Sequence, residues 1–190
     1  MAKKNERDIN FVNPTKKSLR LQFFIYGNYF GNSYLKLMDR AESMLREHGL
    51  DLGYYPIRGL LIPLALPHTS GPRGLIAEED YGNIKSFVDT FMKATSTVET
   101  HLAVVLCNYT DLGHGLTPWK RFGWSKPLVL ISPRPNDDNV TLLHELGHAA
   151  DLGHEIDKVN NQRNFMDPVE SRTTMYRFQV EKLAGAYFAG

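Results

Sequence analysis

The stretch "HELGHAADLGHE", residues 144–155, decides how the rest of the chain is read. It carries His144, Glu145, His148 and His154 within twelve positions. On a helix, residues i and i+4 lie one turn apart on the same face. His144 and His148 can therefore direct their imidazoles at one point. Glu145 lies one residue round the helix. It is too offset to join that pair, yet close enough for its carboxylate to reach a water held there. His154 cannot share the face if the helix runs on. The chain must leave the helix and turn back, and Gly153 permits such a turn.

The helix that this geometry needs is supported by its surroundings. Asp137, Asp138 and Asn139 supply N-cap candidates and negative charge at the positive end of the helix dipole. Val140, Leu143, Leu146, Gly147 and Ala150 give an apolar face. Two imidazoles at this spacing suit a zinc ion, which binds histidine nitrogens at about 2.0–2.1 Å and prefers four tetrahedral positions. A purely structural zinc site is usually closed by four protein ligands and needs no base. Glu145 therefore favours a catalytic site over a structural one.

Outward from the motif, the sequence predicts a mixed sheet flanked by helices. "SLRLQFFIY" alternates, with Leu19, Leu21, Phe23 and Ile25 on one side, as a strand does. "SYLKLMDRAESMLREHG" places Leu37, Met38, Ala41, Met44 and Leu45 at helical spacing between Ser33 and a stop at Gly49. "YYPIRGLLIPLAL" (54–66) reads as a proline-broken strand. A second helical stripe runs through Ile84, Phe87, Val88, Phe91 and Met92. "HLAVVLCN" (101–108) has the continuous apolar character of a buried central strand, and "PLVLIS" (127–132) is another short strand. Between them "TDLGHGLTPWKRFGW" suits a loop or an irregular edge strand. A long loop from 153 to about 172 and a final helix through Met175, Phe178 and Leu183 complete the order. Residues 1–17 are polar and charged, and are expected to form a loose arm before a single domain over 18–190.

Bulk properties narrow the function classes. The 190 residues suit one domain with a proper core. A formal net charge of +1 gives no pull towards nucleic acid or anionic membrane, so neither is expected as a partner. The single cysteine, Cys107, rules out an intrachain disulfide, and its apolar setting favours a buried structural thiol. No cleavable signal and no membrane-length segment is visible. The expected location is the cytoplasm, or outside the cell by a route without a cleavable signal peptide.

With "NFMDP" at 164–168, the motif resembles the metzincin clan of zinc metallopeptidases, whose pattern is HExxHxxGxxH followed by a methionine-containing turn. "HELGHAADLGH" supplies the three histidines and the glutamate at the clan's spacing, and Met166 matches the turn methionine. The likeness in detail covers about residues 100–185. The resemblance implies an α+β fold: a twisted mixed sheet with a backing helix and an active-site helix (about 18–152), then a small C-terminal subdomain with the Met-turn and final helix (about 153–190). It implies zinc held by His144, His148 and His154, Glu145 as general base, and Met166 as the floor of the site. It also implies an extended peptide or protein substrate along an edge strand at Gly115 and Leu116, with a pocket wall at Pro168 and Val169.

The sequence departs from the clan in two places. The clan's glycine is Asp151 here, a residue type that tolerates left-handed backbone, with Gly153 as a second place for the turn. Glu155 resembles the astacin branch. That branch carries a tyrosine two residues past the turn methionine, where this chain has Pro168, so no tyrosine ligand and no branch is implied. Other readings stay open. His154 as a surface loop residue and Met166 as core filler are the plain ones. Glu170 is the third ligand if the chain is a gluzincin-type zinc hydrolase. His114 reads as an exposed loop residue and Tyr176 as a residue buried by the last helix. A metzincin-fold binding module without useful turnover is the main rival to a peptidase.

Overall fold

The computed structural model describes residues 6–26, 33–55, 61–62, 81–107, 115–132, 140–156, 158–159, 162–168 and 172–190. Its main sheet has the order β2-β1-β4-β6-β5, with β3 pairing β1 off this path. The strands are β1 (Lys17–Tyr26), β2 (Leu50–Tyr55), β3 (Leu61–Ile62), β4 (Leu102–Leu106), β5 (Gly115–Leu116) and β6 (Val129–Ile131). Every pairing is parallel except that of β5, which runs antiparallel to β6 at the edge. Helices α1 (Ser33–Glu47), α2 (Tyr81–Ala94), α3 (Thr141–Ala149) and α4 (Arg177–Ala184) complete the frame.

Parallel strands covered on both faces must be apolar on both faces, and β4 shows this. Leu102, Val104 and Leu106 face one core, with Leu19, Leu21 and Phe23 of β1, Val129 and Ile131 of β6, and α1, α3 and α4. Ala103, Val105 and Cys107 face the other, with Phe24, Leu130 and the α2 stripe of Tyr81, Ile84, Val88 and Met92. Phe24 meets Phe91 edge-on, with ring centroids 5.5 Å apart. Helix α1 buries the predicted Leu37, Met38, Ala41, Met44 and Leu45. Gly49 ends it with φ 74°, where an added Cβ would stand 2.8 Å from the Asn13 carbonyl.

Three expectations need correction. The strand expected over 54–66 begins earlier. Once Gly49 has reversed the chain, "LDLGYY" enters the sheet at once, burying Leu50 and Leu52. Residues 56–60 and 63–66 lie outside the described residues. The loop expected from 153 to 172 contains a small sheet of β7 (Lys158–Val159), β8 (Gln162–Asn164) and β9 (Arg172–Thr174), ordered β7-β8-β9. These two- and three-residue strands are too short for a period-2 pattern to register.

Finally, residues 6–16 are held rather than loose. The Asn13 N–H donates to the His48 carbonyl at 2.9 Å, the His48 Nδ1–H to the Phe11 carbonyl at 2.8 Å, and the Arg177 N–H to the Asp8 carbonyl at 3.0 Å. Residues 8, 11 and 13 take part through backbone groups, so their side chains gave no sign of these bonds.

Among the described residues no helix is long and apolar enough to cross a membrane. The Cys107 thiol is fully buried, and burial pushes its pKa up, well above the usual thiol range. It therefore stays protonated and shielded in the fold. The expected outcome at pH 8 is negligible reaction of native protein with a thiol-selective reagent and one thiol per chain titrated in denaturant, read by absorbance.

Candidate metal centre and active site

Helix α3 follows β6 and packs Leu143 and Leu146 into the first core. Its N-cap is Val140, with no side-chain cap hydrogen bond. The caps expected from Asp137, Asp138 and Asn139 fall outside the described residues, and the helix starts after them. His144 and Glu145 are buried, and His148 is half-buried on the same helix.

The helix stops through the backbone. The Leu152 N–H donates to the Gly147 carbonyl at 2.9 Å and the Asp151 N–H to the His148 carbonyl at 3.0 Å. Asp151 between them is left-handed, with φ 65°. These two bonds around a left-handed residue are the Schellman arrangement. So the turn is made at Asp151, and Gly153 does not take a positive φ. The strain for an ordinary L-residue there is about 1–2 kcal/mol. Aspartate eases it, and its carboxylate also pairs with Lys120 across the surface.

The turn brings His154 to the helix. One ligand nitrogen from each of His144, His148 and His154 lies within 4.8 Å of the others. The His144 and His148 Nε2 atoms are 3.1 Å apart. Nitrogens sharing a tetrahedral zinc stand roughly 3.3 Å apart, from metal–nitrogen distances of about 2.0–2.1 Å. His154 is exposed, and its ring lies 5.3 Å from that of His144 and 4.9 Å from that of His148.

Outer contacts fix which nitrogens face inward. The His144 Nδ1–H donates to the Phe165 carbonyl and the His148 Nδ1–H to the Leu152 carbonyl, each at 2.9 Å. A carbonyl can only accept, so both protons sit on Nδ1 in the neutral rings. The two Nε2 lone pairs then face each other at 3.1 Å, an arrangement that a cation between them relieves. Backbone carbonyls holding the far nitrogens in this way are typical of metal-binding histidines. Three nitrogen donors of this kind fit zinc.

The turn at 164–167 braces the cluster from below. The Asp167 N–H closes it onto the Asn164 carbonyl at 3.0 Å, and the Met166 N–H donates to Asn164 Oδ1 at 2.9 Å. The side-chain amides of Asn164 and Gln179 exchange two hydrogen bonds of 2.8 Å, and both residues are fully buried. Asp167, also buried, accepts from Arg163 at 3.0 Å. Met166 lies against Gly147, where an added Cβ would collide with Met166 Sδ and come within 2.9 Å of Phe165 Cε2. The Met166 carbonyl accepts from the Glu155 N–H at 3.1 Å, next to His154. One turn thus touches the His144 ring, the middle of α3 and the segment that carries His154.

Glu145 extends towards the edge strand, not the histidine side chains' carbonyl partners. Thr117 Oγ1–H donates to Glu145 Oε2 at 2.6 Å. Gly115 leaves room for the carboxylate: a Cβ there would stand 2.6 Å from Glu145 Cγ. Leu116 is half-buried and Pro168 exposed, while His114, Val169 and Glu170 lie outside the described residues. Tyr176 is buried, as expected. Sequence reading missed Thr117, Gly147 as the seat of Met166, and the Asn164–Gln179 pair. Of these, only a glycine inside the helix was a visible signal.

The chain shares its fold with the mature mirolysin of Tannerella forsythia, solved in complex with a cleaved peptide. The TM-score is 0.53 at 11% identity, over 90% of this chain and 92% of that one. No family model matches the chain, and no curated protein matches it in sequence.

Gly147→Ala is expected to cost about 1–3 kcal/mol through overpacking against Met166 and to weaken zinc binding, read by urea unfolding and chelator competition. Asp151→Gly should keep stability within about 1 kcal/mol and leave zinc affinity intact. Asp151→Val should lose about 1–2 kcal/mol, because a β-branched residue resists left-handed backbone.

Proposed function

We propose that the chain is a metzincin-type zinc endopeptidase. The observation that carries this reading is the convergence of His144, His148 and His154, two of them oriented by backbone carbonyls, beside a buried carboxylate on the same helix. On this reading those histidines hold zinc, Met166 supports them from below, and the cleft lies between an upper part (about 18–152) and a lower part (about 153–190). A zinc ion there supplies the positive charge that acidifies a water and polarises a scissile carbonyl.

Glu145 is the general base. It takes the proton of the attacking water on its carboxylate and passes it to the leaving nitrogen. Burial and the Thr117 hydrogen bond hold it in place for both transfers. The peptide lies extended along the edge of β5 that is unpaired among the described residues, beside Gly115 and Leu116, pairing through backbone groups. Pro168, just past the turn methionine, contributes to the wall of its main pocket. The cleaved peptide bound to mirolysin supports a peptide or protein substrate here. The His154 position, close to both helix histidines, favours the three-histidine set over one completed by Glu170.

The deciding measurement is metal content together with cleavage of a mixed peptide library. Wild type is expected to carry about one zinc per chain and to cleave. Glu145→Ala should keep the zinc and lose cleavage by several orders of magnitude. Metal-free wild type refutes the reading, and zinc without cleavage of any peptide favours a binding module. His154→Ala should weaken zinc binding on the order of a hundredfold or more, read by chelator competition. Unchanged affinity would mean that another residue completes the site.

A further inference from the structure

We propose that Thr117 is a positioning residue for Glu145, fixing the base to the strand that sets the substrate's register; this rests on the peptidase reading above. The terminal torsion of a glutamate side chain is broad and roughly two-fold, so sequence spacing alone does not settle which oxygen faces the reacting water. Here a hydroxyl bonds one of the two oxygens directly. Thr117 Oγ1 lies 2.6 Å from Glu145 Oε2 and 3.2 Å from the Glu145 backbone carbonyl. It is thus seated over both the side chain and the main chain of one residue, 28 positions away in sequence.

Two residues earlier, Gly115 presents no Cβ to the carboxylate. An added one would stand 2.6 Å from Cγ, 2.8 Å from Oε1 and 3.0 Å from Cδ. The carboxylate therefore lies along the Gly115–Thr117 segment, with Oε2 on the hydroxyl and Oε1 over the gap left by glycine. Glu145 is only 5% exposed, so bulk water does little to reorient it.

The location of the donor matters as much as its distance. Thr117 follows β5 directly, and β5 pairs with β6 on one side only among the described residues. Its other edge is where the proposed substrate lies. A displacement of this edge would move substrate and base together, so their relative placement is preserved. Loss of the hydroxyl should release the base without releasing the substrate, which separates the effect on kcat from that on KM. A misplacement of about 1 Å in a reacting group costs on the order of a hundredfold in rate.

The test compares Thr117→Val, nearly isosteric but without the donor, with Thr117→Ser, which keeps it. In the zinc-loaded full chain, Thr117→Val is expected to keep its metal and a KM within about twofold, and to lose kcat roughly ten- to a hundredfold. Thr117→Ser should recover most of that loss. Unchanged kcat in Thr117→Val overturns the proposal, as does a serine variant as impaired as the valine one, which would assign the role to the methyl group. A second readout needs no activity. In urea unfolding of metal-free protein, Thr117→Val should lower the midpoint more when Glu145 is present than in a Glu145→Ala background. Equal effects in both backgrounds overturn the contact itself. A wild type that cleaves nothing overturns the peptidase reading and with it the catalytic role, while the unfolding cycle still decides whether the contact exists.

Discussion

A helix can offer two ligands on one face but not a third six residues on, so the cluster depends on how abruptly α3 ends. The left-handed residue at Asp151, whose N–H bonds the His148 carbonyl while that of Leu152 bonds the Gly147 carbonyl, ends the helix within one turn of His148. The same reversal aims the Leu152 carbonyl at His148 Nδ1. One conformational choice thus stops the helix, orients the second imidazole and returns the chain towards the first. Aspartate achieves this with a surface ion pair to Lys120, a contact glycine cannot make, although exposed pairs contribute at most about 1 kcal/mol.

The turn at 164–167 provides the opposing support. Its position is over-determined by the paired amides of Asn164 and Gln179, the Arg163–Asp167 pair and the packing of Met166 on Gly147. Buried amides that satisfy each other hold geometry well, because losing either partner strands the other in an apolar setting. Through Gln179, whose side chain also accepts the Tyr176 N–H, the last helix is tied to the floor of the site.

Much of this was legible in the sequence because it rests on spacing. The i, i+4 histidines, the apolar runs of β4 and β6, and the stripes of α1 and α2 follow from helix and strand periods, and the structure places them so. The contacts that refine the site were hidden because they are non-local. Thr117 lies 28 residues from Glu145, and Gln179 lies 15 from Asn164. Neither residue type stands out in an extended polar segment or on a short amphipathic helix. The docking of residues 8–13 was invisible for another reason: their own main-chain groups make the bonds. The turn residue was read with Gly153 as a second site; the difference lies in Asp151, whose side chain finds a partner that only the fold brings near.

The bracing by residues 7–18 and 172–190 has a consequence in time. The Arg7 guanidinium reaches Glu155, one residue past the third histidine, at 3.3 Å and lies over the Tyr176 ring. Ser18 and Gly190 exchange backbone hydrogen bonds of 2.9 and 3.1 Å at the start of β1. During synthesis, residues 6–18 leave the ribosome well before their partners among residues 172–190 are made. The sheet of β1, β2, β4 and β6 and the helix bearing the first two histidines can assemble while the remainder is still being made. The third histidine's segment is secured only when residues 172–190 have emerged, so closure of the three-histidine cluster comes late in the making of each new chain.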